Sequence, residues 1–87
     1  MKELTKCLKA LANERRLRIL QELAKHEPLP INRVAKRIGL SLKSTSKHIQ
    51  KLVECDFICR KQSSLWIWCT LNRQHPILQS LLKHFKK

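Results

Sequence analysis

The chain has 87 residues, of which 43% are hydrophobic, so we expect a single small domain with a modest core. Nineteen Lys and Arg residues against six Asp and Glu residues give a formal net charge of +13. This charge favours a polyanionic partner, most often a nucleic acid, and leaves a membrane surface as the alternative. The acidic residues are unevenly distributed, because none lies between Pro28 and Val53 and none follows Asp56.

Targeting signals and membrane spans are not evident in the sequence. No apolar run approaches the roughly 20 residues of a transmembrane helix, and the N-terminus has no apolar signal core. We therefore expect a cytoplasmic protein, in which cysteines are reduced thiols. The four cysteines are Cys7, Cys55, Cys59 and Cys69.

Two helices are predicted at the start of the chain. Apolar residues at helical spacing indicate a helix over 1–12, and Asn13 is a suitable N-cap for a second helix. Apolar residues continue at this spacing over 17–24. The second helix is expected to end near His26, because Pro28 cannot continue it.

The next two helices form a predicted helix-turn-helix over 31–55. Apolar residues at i, i+3, i+4 and i+7 indicate a short helix over 31–38, with Gly39 at its C-cap. Ser41 is a suitable N-cap for the following helix. The inner face of that helix is expected to contain Leu42, Thr45, Ile49, Leu52 and Val53. Two helices joined by a short glycine-containing turn are typical of DNA-binding proteins.

The second helix of this motif is the expected reading helix. In such motifs its N-terminal residues face base edges in the major groove. Here they are Lys43, Ser44, Lys47 and His48, a set of cations and short polar groups without an acid. The alternative is an ordinary solvated polar face on a small helical bundle.

A β-hairpin over 57–71 is predicted to form a wing beside this helix. Two β-prone segments flank Ser63 and Ser64, and Arg60, Lys61 and Gln62 lead into the turn. Trp66 and Trp68 share one strand face, where they either pack or stack on nucleobases. Pro76 then opens a last helix. The expected fold is mainly α with a small hairpin, a winged helix-turn-helix of order α-α-α-α-β-β-α in one domain.

Four segments together resemble the arsenical-resistance-repressor (ArsR-type) family of winged helix regulators. Residues 8–20 are similar to the family's ALANPTRLRIL opening, and 31–41 to its first motif helix. Residues 44–54 are similar to its VSHHLKVLREAGLV stretch, with Ser46, His48, Leu52 and Glu54 in register. Residues 68–72 lie where the family has YYRLN. The resemblance covers nearly the whole chain.

The resemblance implies a homodimer held by its first and last helices, over 1–12 and 76–86, on an inverted-repeat operator. The implied interface residues are Leu4, Leu8, Leu11, Ile77, Leu78, Leu81, Leu82 and Phe85. The implied DNA contacts are Lys43, Ser44, Ser46, Lys47, His48 and Lys51 in the reading helix, with Arg60 and Lys61 in the wing.

The chain departs from the family at two places. Asp56 stands where the family usually has glycine, and the helix over 31–38 has none of the cysteine or histidine ligands of the metal-sensing members. We therefore expect neither a metal nor a cofactor, and most cysteines are expected to be small buried hydrophobes. A redox switch through the cysteines is the remaining alternative.

These features predict a regulator, in particular a repressor, that binds specific double-stranded DNA sequences as a homodimer. The alternative is an architectural protein that coats nucleic acid through charge alone. An enzyme has little support, because acids are few and there is no phosphate-binding glycine loop.

Overall fold

The computed structural model describes residues 1–85, which form five α-helices and three β-strands. The helices are α1 (Lys2–Leu11), α2 (Glu14–His26), α3 (Ile31–Ile38), α4 (Leu42–Glu54) and α5 (Pro76–His84). The strands are β1 (Leu29–Pro30), β2 (Ile58–Ser63) and β3 (Trp66–Leu71). The predicted fold class is confirmed, with β1 as an added strand. Position 86, the last of the predicted 76–86 helix, lies outside the described residues.

Local capping residues set the helix ends where the sequence predicts them. The Asn13 side chain accepts a hydrogen bond from the Arg16 backbone N–H at 3.1 Å, and Ser41 Oγ accepts one from the Ser44 N–H at 3.1 Å. Gly39 ends α3 with φ of 73°, the left-handed conformation that glycine adopts most easily. Asp56 follows α4 with φ of 63°. These residues mark the start of α2, the end of α3 and both ends of α4.

The three strands form an antiparallel sheet of order β1-β3-β2. β1 pairs with β3 through Leu29 opposite Cys69 and Pro30 opposite Trp68. The sequence did not predict β1, because prolines on both sides of Leu29 indicate an irregular segment. Proline has no backbone N–H to donate to a neighbouring strand. An edge strand tolerates it, because one side of such a strand has no neighbour. The hairpin turns through Ser64, which has φ of 57°.

One hydrophobic core lies between the helices and the inner face of the sheet. Phe57, Ile19, Leu20, Leu23, Ile49 and Leu52 are among its fully buried members. Leu42 was predicted to face the core but is 50% exposed, since it lies in the first turn of α4. Leu11 and Leu78 were predicted at a dimer interface, yet both are buried in the core of this chain. Those two side chains therefore pack within the protomer.

Glu27 joins the end of α2 to the end of the hairpin. Its Oε1 accepts a hydrogen bond from the Leu71 backbone N–H at 2.8 Å, and its Oε2 accepts one from Arg73 Nε at 2.6 Å. Arg73 also donates to the Ala24 carbonyl at the last turn of α2, at 3.2 Å. The hairpin is thus anchored to the helical layer at its base.

The expectation that all four cysteines are reduced thiols is wrong. Cys7 in α1 and Cys55 at the C-cap of α4 form a disulfide across 48 residues of sequence. Their Cα atoms lie 5.5 Å apart, within the range that a disulfide spans. The packing of α1 against the end of α4, which no local pattern encodes, creates this pair. Cys59 and Cys69 are free, the first exposed and the second buried.

No helix within residues 1–85 is long and apolar enough to span a bilayer.

Candidate nucleic-acid interface

The outer face of α4 presents the predicted reading residues. Lys43, Lys47 and Lys51 are exposed and lie four residues apart, so the helical repeat places them along one stripe. Ser44 is exposed beside them, and its backbone N–H is held by Ser41 Oγ. Ser46 is half-buried. The three lysines therefore form an exposed basic stripe along α4.

A groove between α4 and β2 brings four of the predicted contact residues together. Its volume is about 430 Å³, and its lining includes Ser46, Lys47, Lys51 and Arg60 together with Gln50 and Glu54. Glu54 is the acid in this groove. It hydrogen-bonds to Gln50 Nε2 at 3.2 Å and pairs with Lys6 at 3.8 Å. The hydrogen bond from Gln50 is the main cause that lowers the pKa of Glu54.

Arg60 and Lys61, both predicted to contact DNA from the hairpin, lie on opposite faces of the sheet. Arg60 is paired with Cys69 on the inner face, whereas Lys61 is paired with Trp68 on the outer face. Arg60 donates a hydrogen bond to Gln50 Oε1 at 2.6 Å. Arg60 therefore holds the hairpin against α4, and Lys61, one residue nearer the turn, is exposed on the outer face.

His48 is half-buried and bound to α2. Its Nδ1 accepts a hydrogen bond from Arg16 Nε at 3.1 Å. Burial, and then the positive charges of Arg16 and Arg15, lower the pKa of His48 below its ordinary value of 6.5. His48 is therefore neutral at physiological pH, and because Nδ1 accepts, its proton lies on Nε2. The ring offers one donor to an acceptor outside the protein.

Arg16 is a positioning residue that the sequence analysis did not identify. Besides contacting His48, its guanidinium donates to the Ala10 carbonyl at 3.3 Å. It thus connects the end of α1, the start of α2 and the reading face of α4. No local pattern could reveal this role, since Arg16 and His48 are 32 residues apart.

Residues 13–58, just over half of the chain, match the family model described as winged helix-turn-helix DNA-binding. This segment runs from the N-cap of α2 to the start of β2 and contains α4. The chain belongs to the winged helix-turn-helix DNA-binding family. No protein of curated function matches it significantly in sequence.

Solved structures share this fold over almost the whole chain. One is the homodimeric winged helix-turn-helix DNA-binding domain of Mb0332 from Mycobacterium bovis, described as a possible ArsR-family regulator. It is 22% identical to this chain with a TM-score of 0.84, and the match covers 95% of this chain and 75% of that one. An ArsR family transcriptional regulator, RHA00566, is 21% identical with a TM-score of 0.76, covering 97% and 82%. The antimony-specific transcriptional repressor AntR is 24% identical with a TM-score of 0.79, covering 95% and 73%.

These neighbours have the fold of the ArsR-type regulators, which confirms the resemblance predicted from the sequence. The winged helix protein described here is accordingly a DNA-binding protein with the fold of transcriptional regulators. Within that fold α3 and α4 form the helix-turn-helix, and β2 and β3 form the wing.

The two tryptophans lie on the outer face of the wing and outside the hydrophobic core. Trp66 is 46% exposed, and Trp68 is half-buried opposite Pro30 of β1. A cleft beside them is also lined by Arg33 and Lys36 of α3. Trp68 thus packs on the edge strand, and Trp66 presents an aromatic surface to solvent.

One group of possible metal ligands occurs within the described part of the chain. Glu3, Cys7 and Cys55 place a carboxylate oxygen and two sulfur atoms within 4.8 Å of one another. The two sulfur atoms form the disulfide, and a metal binds thiolates rather than a disulfide. In this state the group does not offer a metal site.

Proposed function

We propose that this winged helix protein is a sequence-specific transcriptional regulator that binds duplex DNA as a homodimer and represses transcription. The observation that carries the proposal is the exposed stripe Lys43, Lys47 and Lys51 on α4, beside a wing anchored to the same helix. No acid interrupts this stripe before Glu54, which is already paired. Such a surface matches the negative potential of a major groove and its phosphates.

The side chains on this face divide between phosphate and base contacts. Lys43 and Ser44 lie in the first turn of α4, where side chains reach the base edges in helix-turn-helix complexes. Lys47 and Lys51 can donate to phosphates on either side of the major groove or to the O6 and N7 acceptors of guanine. The Nε2–H of His48 donates to the same acceptors, while Arg16 fixes the ring. We expect Lys61 in the wing to contact a flanking phosphate.

A homodimer is supported by the apolar residues that the chain leaves at its surface. Leu4 is 42% and Leu8 is 49% exposed on α1, and they lie four residues apart on one helix face. On α5, Ile77, Leu81, Leu82 and Phe85 are only partly buried against the core. The similar Mycobacterium bovis domain is described as homodimeric. A two-fold dimer presents two reading helices to a DNA site with inverted repeats.

Sedimentation tests the dimer with matched leucine variants. The wild type is expected to sediment as a dimer and Leu8→Asp as a monomer, because the new charge would be buried between protomers. The control is Leu65→Asp at the turn of the wing, where the leucine is 91% exposed and outside the proposed interface. A monomeric wild type, or a dimeric Leu8→Asp, would contradict the proposed interface.

Competition binding tests the sequence specificity. Labelled DNA from the upstream region of the protein's own gene is competed with random duplex DNA at several salt concentrations. A specific regulator binds the upstream DNA ~10³-fold or more tightly. Equal affinities with equal salt dependence would instead support the architectural alternative, in which charge alone binds nucleic acid.

Two lysine substitutions, one on α4 and one on α2, test where the DNA-binding surface lies. Lys47→Ala is expected to weaken binding to the specific site and to reduce the slope of log K against log salt by about 1, as the loss of one phosphate contact does. Lys25→Ala, on the last turn of α2, also removes an exposed lysine and is expected to leave the slope unchanged. Equal effects of both substitutions would place the DNA-binding surface elsewhere.

A further inference from the structure

The disulfide between Cys7 and Cys55 connects α1 to the C-terminal end of α4. Both side chains are almost fully buried, with 8% and 3% of their surfaces exposed. Disulfides in proteins of reducing compartments are usually transient and take part in thiol chemistry. The chemistry of this one depends on which thiols can approach its sulfur atoms.

A cleft between α1 and α4, which we name the basic cleft, leads to Cys55. Its volume is about 550 Å³, which is in the range that holds small organic ligands. Cys55 lies in its lining, and its walls carry the cations of Lys2, Lys6, Lys9, Arg16 and Lys51. The basic cleft therefore brings one end of the S–S bond next to a cluster of positive charges.

Two carboxylates lie beside the basic cleft and partly offset this charge. Glu3 has a carboxylate oxygen within 4.8 Å of both sulfur atoms, and Glu54 pairs with Lys6 at 3.8 Å. Neither acid belongs to the cleft lining, which contains five cations. The field inside the basic cleft therefore favours anions over cations.

We propose that the basic cleft is a thiol–disulfide exchange site for low-molecular-weight thiols that carry carboxylates. The thiolate of the small molecule attacks Sγ of Cys55, a mixed S–S bond forms, and the bond to Cys7 breaks. Cys7 leaves as a thiolate and takes a proton from water. A second small thiolate attacks the small-molecule sulfur of the mixed disulfide and releases the Cys55 thiolate. Two small thiols are thus oxidised to one disulfide while the protein disulfide is reduced to two thiols.

The free cysteines do not share this environment. Burial raises the pKa of Cys69 to about 11, so it remains an unreactive thiol at neutral pH. Cys59 is exposed on the outer face of the wing and is absent from the lining of the basic cleft. Cys59→Ser is therefore a matched control that removes an accessible thiol without altering the exchange site.

The exchange also affects the DNA-binding face, an inference that rests on the proposed function. Lys51 is a proposed phosphate contact and Arg16 holds His48, and both line the basic cleft. A carboxylate-bearing group attached to Cys55 binds these cations and adds negative charge beside α4. The mixed-disulfide form is therefore expected to bind DNA more weakly than the disulfide form, with a salt slope smaller by about 1.

Exchange kinetics test the proposal on the full chain without DNA. The oxidised protein is treated with glutathione, which is anionic, with neutral mercaptoethanol and with cationic cysteamine, each rate being normalised to thiolate concentration and to a small reference disulfide. Glutathione is expected to react at least about tenfold faster than cysteamine, with the advantage lost at high salt. Mass spectrometry should locate the mixed disulfide on Cys55.

Three variants and a thiol count complete the test. Lys51→Gln and Lys9→Gln are expected to lower the advantage of glutathione, and Cys59→Ser to leave it intact. Four reactive thiols in the unreduced, denatured wild type would refute the disulfide. Equal normalised rates for the three small thiols would refute selection by the basic cleft, whether or not any variant folds.

DNA-binding measurements distinguish a failure of the exchange proposal from a failure of the proposed regulatory function. Affinity for the upstream DNA is measured for the disulfide, dithiol and glutathione-bound forms. If glutathione exchange is selective but none of the three forms binds specific DNA, the exchange site stands and the regulator proposal fails. If the glutathione-bound and disulfide forms bind with equal affinity and salt slope, the proposed effect on DNA is refuted.

Discussion

Thr45 is the one buried polar side chain in the described core, and replacing it with valine is expected to stabilise the protein. Thr45 lies on the inner face of α4 with 0% of its surface exposed, and its Oγ1 has no hydrogen-bond partner. An unsatisfied buried hydroxyl costs ~1–3 kcal/mol. Valine has the same shape and a similar helix propensity, and it replaces the hydroxyl with a methyl group that gains from burial.

The expected gain in stability is at the lower end of this range, because neighbouring groups relax around a hydroxyl that lacks a partner and so reduce its cost. We expect Thr45→Val to raise the free energy of unfolding by about 1 kcal/mol and the melting temperature by about 4–8 °C. The assay is thermal and urea unfolding of wild type and variant at one protein concentration and in one redox state. Both are held fixed because dimerisation and the disulfide each shift the apparent stability.

Thr45→Ser is the matched control for this prediction. It keeps the hydroxyl and removes the methyl group, so it is expected to lower the stability by about 1 kcal/mol. DNA affinity should be the same in both variants, since the side chain faces away from the reading surface. A Thr45→Val protein that is no more stable than the wild type would show that Oγ1 has a partner, and the reasoning would be wrong.

Two further predictions concern the contacts around Arg16. Asn13→Ala removes the acceptor of the Arg16 backbone N–H and is expected to cost about 1 kcal/mol in urea unfolding, whereas Asn13→Gly should cost only a few tenths. His48 has a pKa below 6.5 in the folded state, so the folded protein binds fewer protons and its stability falls as the pH drops below 6.5. His48→Gln should remove this part of the pH dependence, which sets in as the pH falls through 6.5 towards the lower pKa of the folded state, and an unchanged profile would contradict a neutral His48.

Contacts within a few residues of sequence could be predicted, and they fix most of the fold. Asn13 with the Arg16 N–H, Ser41 with the Ser44 N–H and the left-handed Gly39 all act within three or four positions. Their geometry depends only on local dihedral angles and helix periodicity, so composition and spacing reveal them. The helix-turn-helix and its exposed lysines followed from these signals.

The contacts that shape the candidate site act over longer separations and could not be predicted. Arg16 donates a hydrogen bond to His48 at a sequence separation of 32 residues, and Cys7 forms a disulfide with Cys55 at a separation of 48 residues. Each depends on the angle at which two helices pack, which periodicity does not specify. β1 escaped prediction for another reason, since two residues are too few to show an alternating pattern and one of them is proline.

The hydrogen bonds of Gln50 have a consequence for the orientation of its side chain on α4. The amide oxygen accepts one hydrogen bond from Arg60, and the amide nitrogen donates one to Glu54. An amide oxygen has two lone pairs and an amide nitrogen two N–H groups, so one acceptor and one donor position remain. A glutamine that recognises adenine uses one of each. The wing therefore holds the amide plane of Gln50 in one orientation while leaving it able to form a further pair of hydrogen bonds.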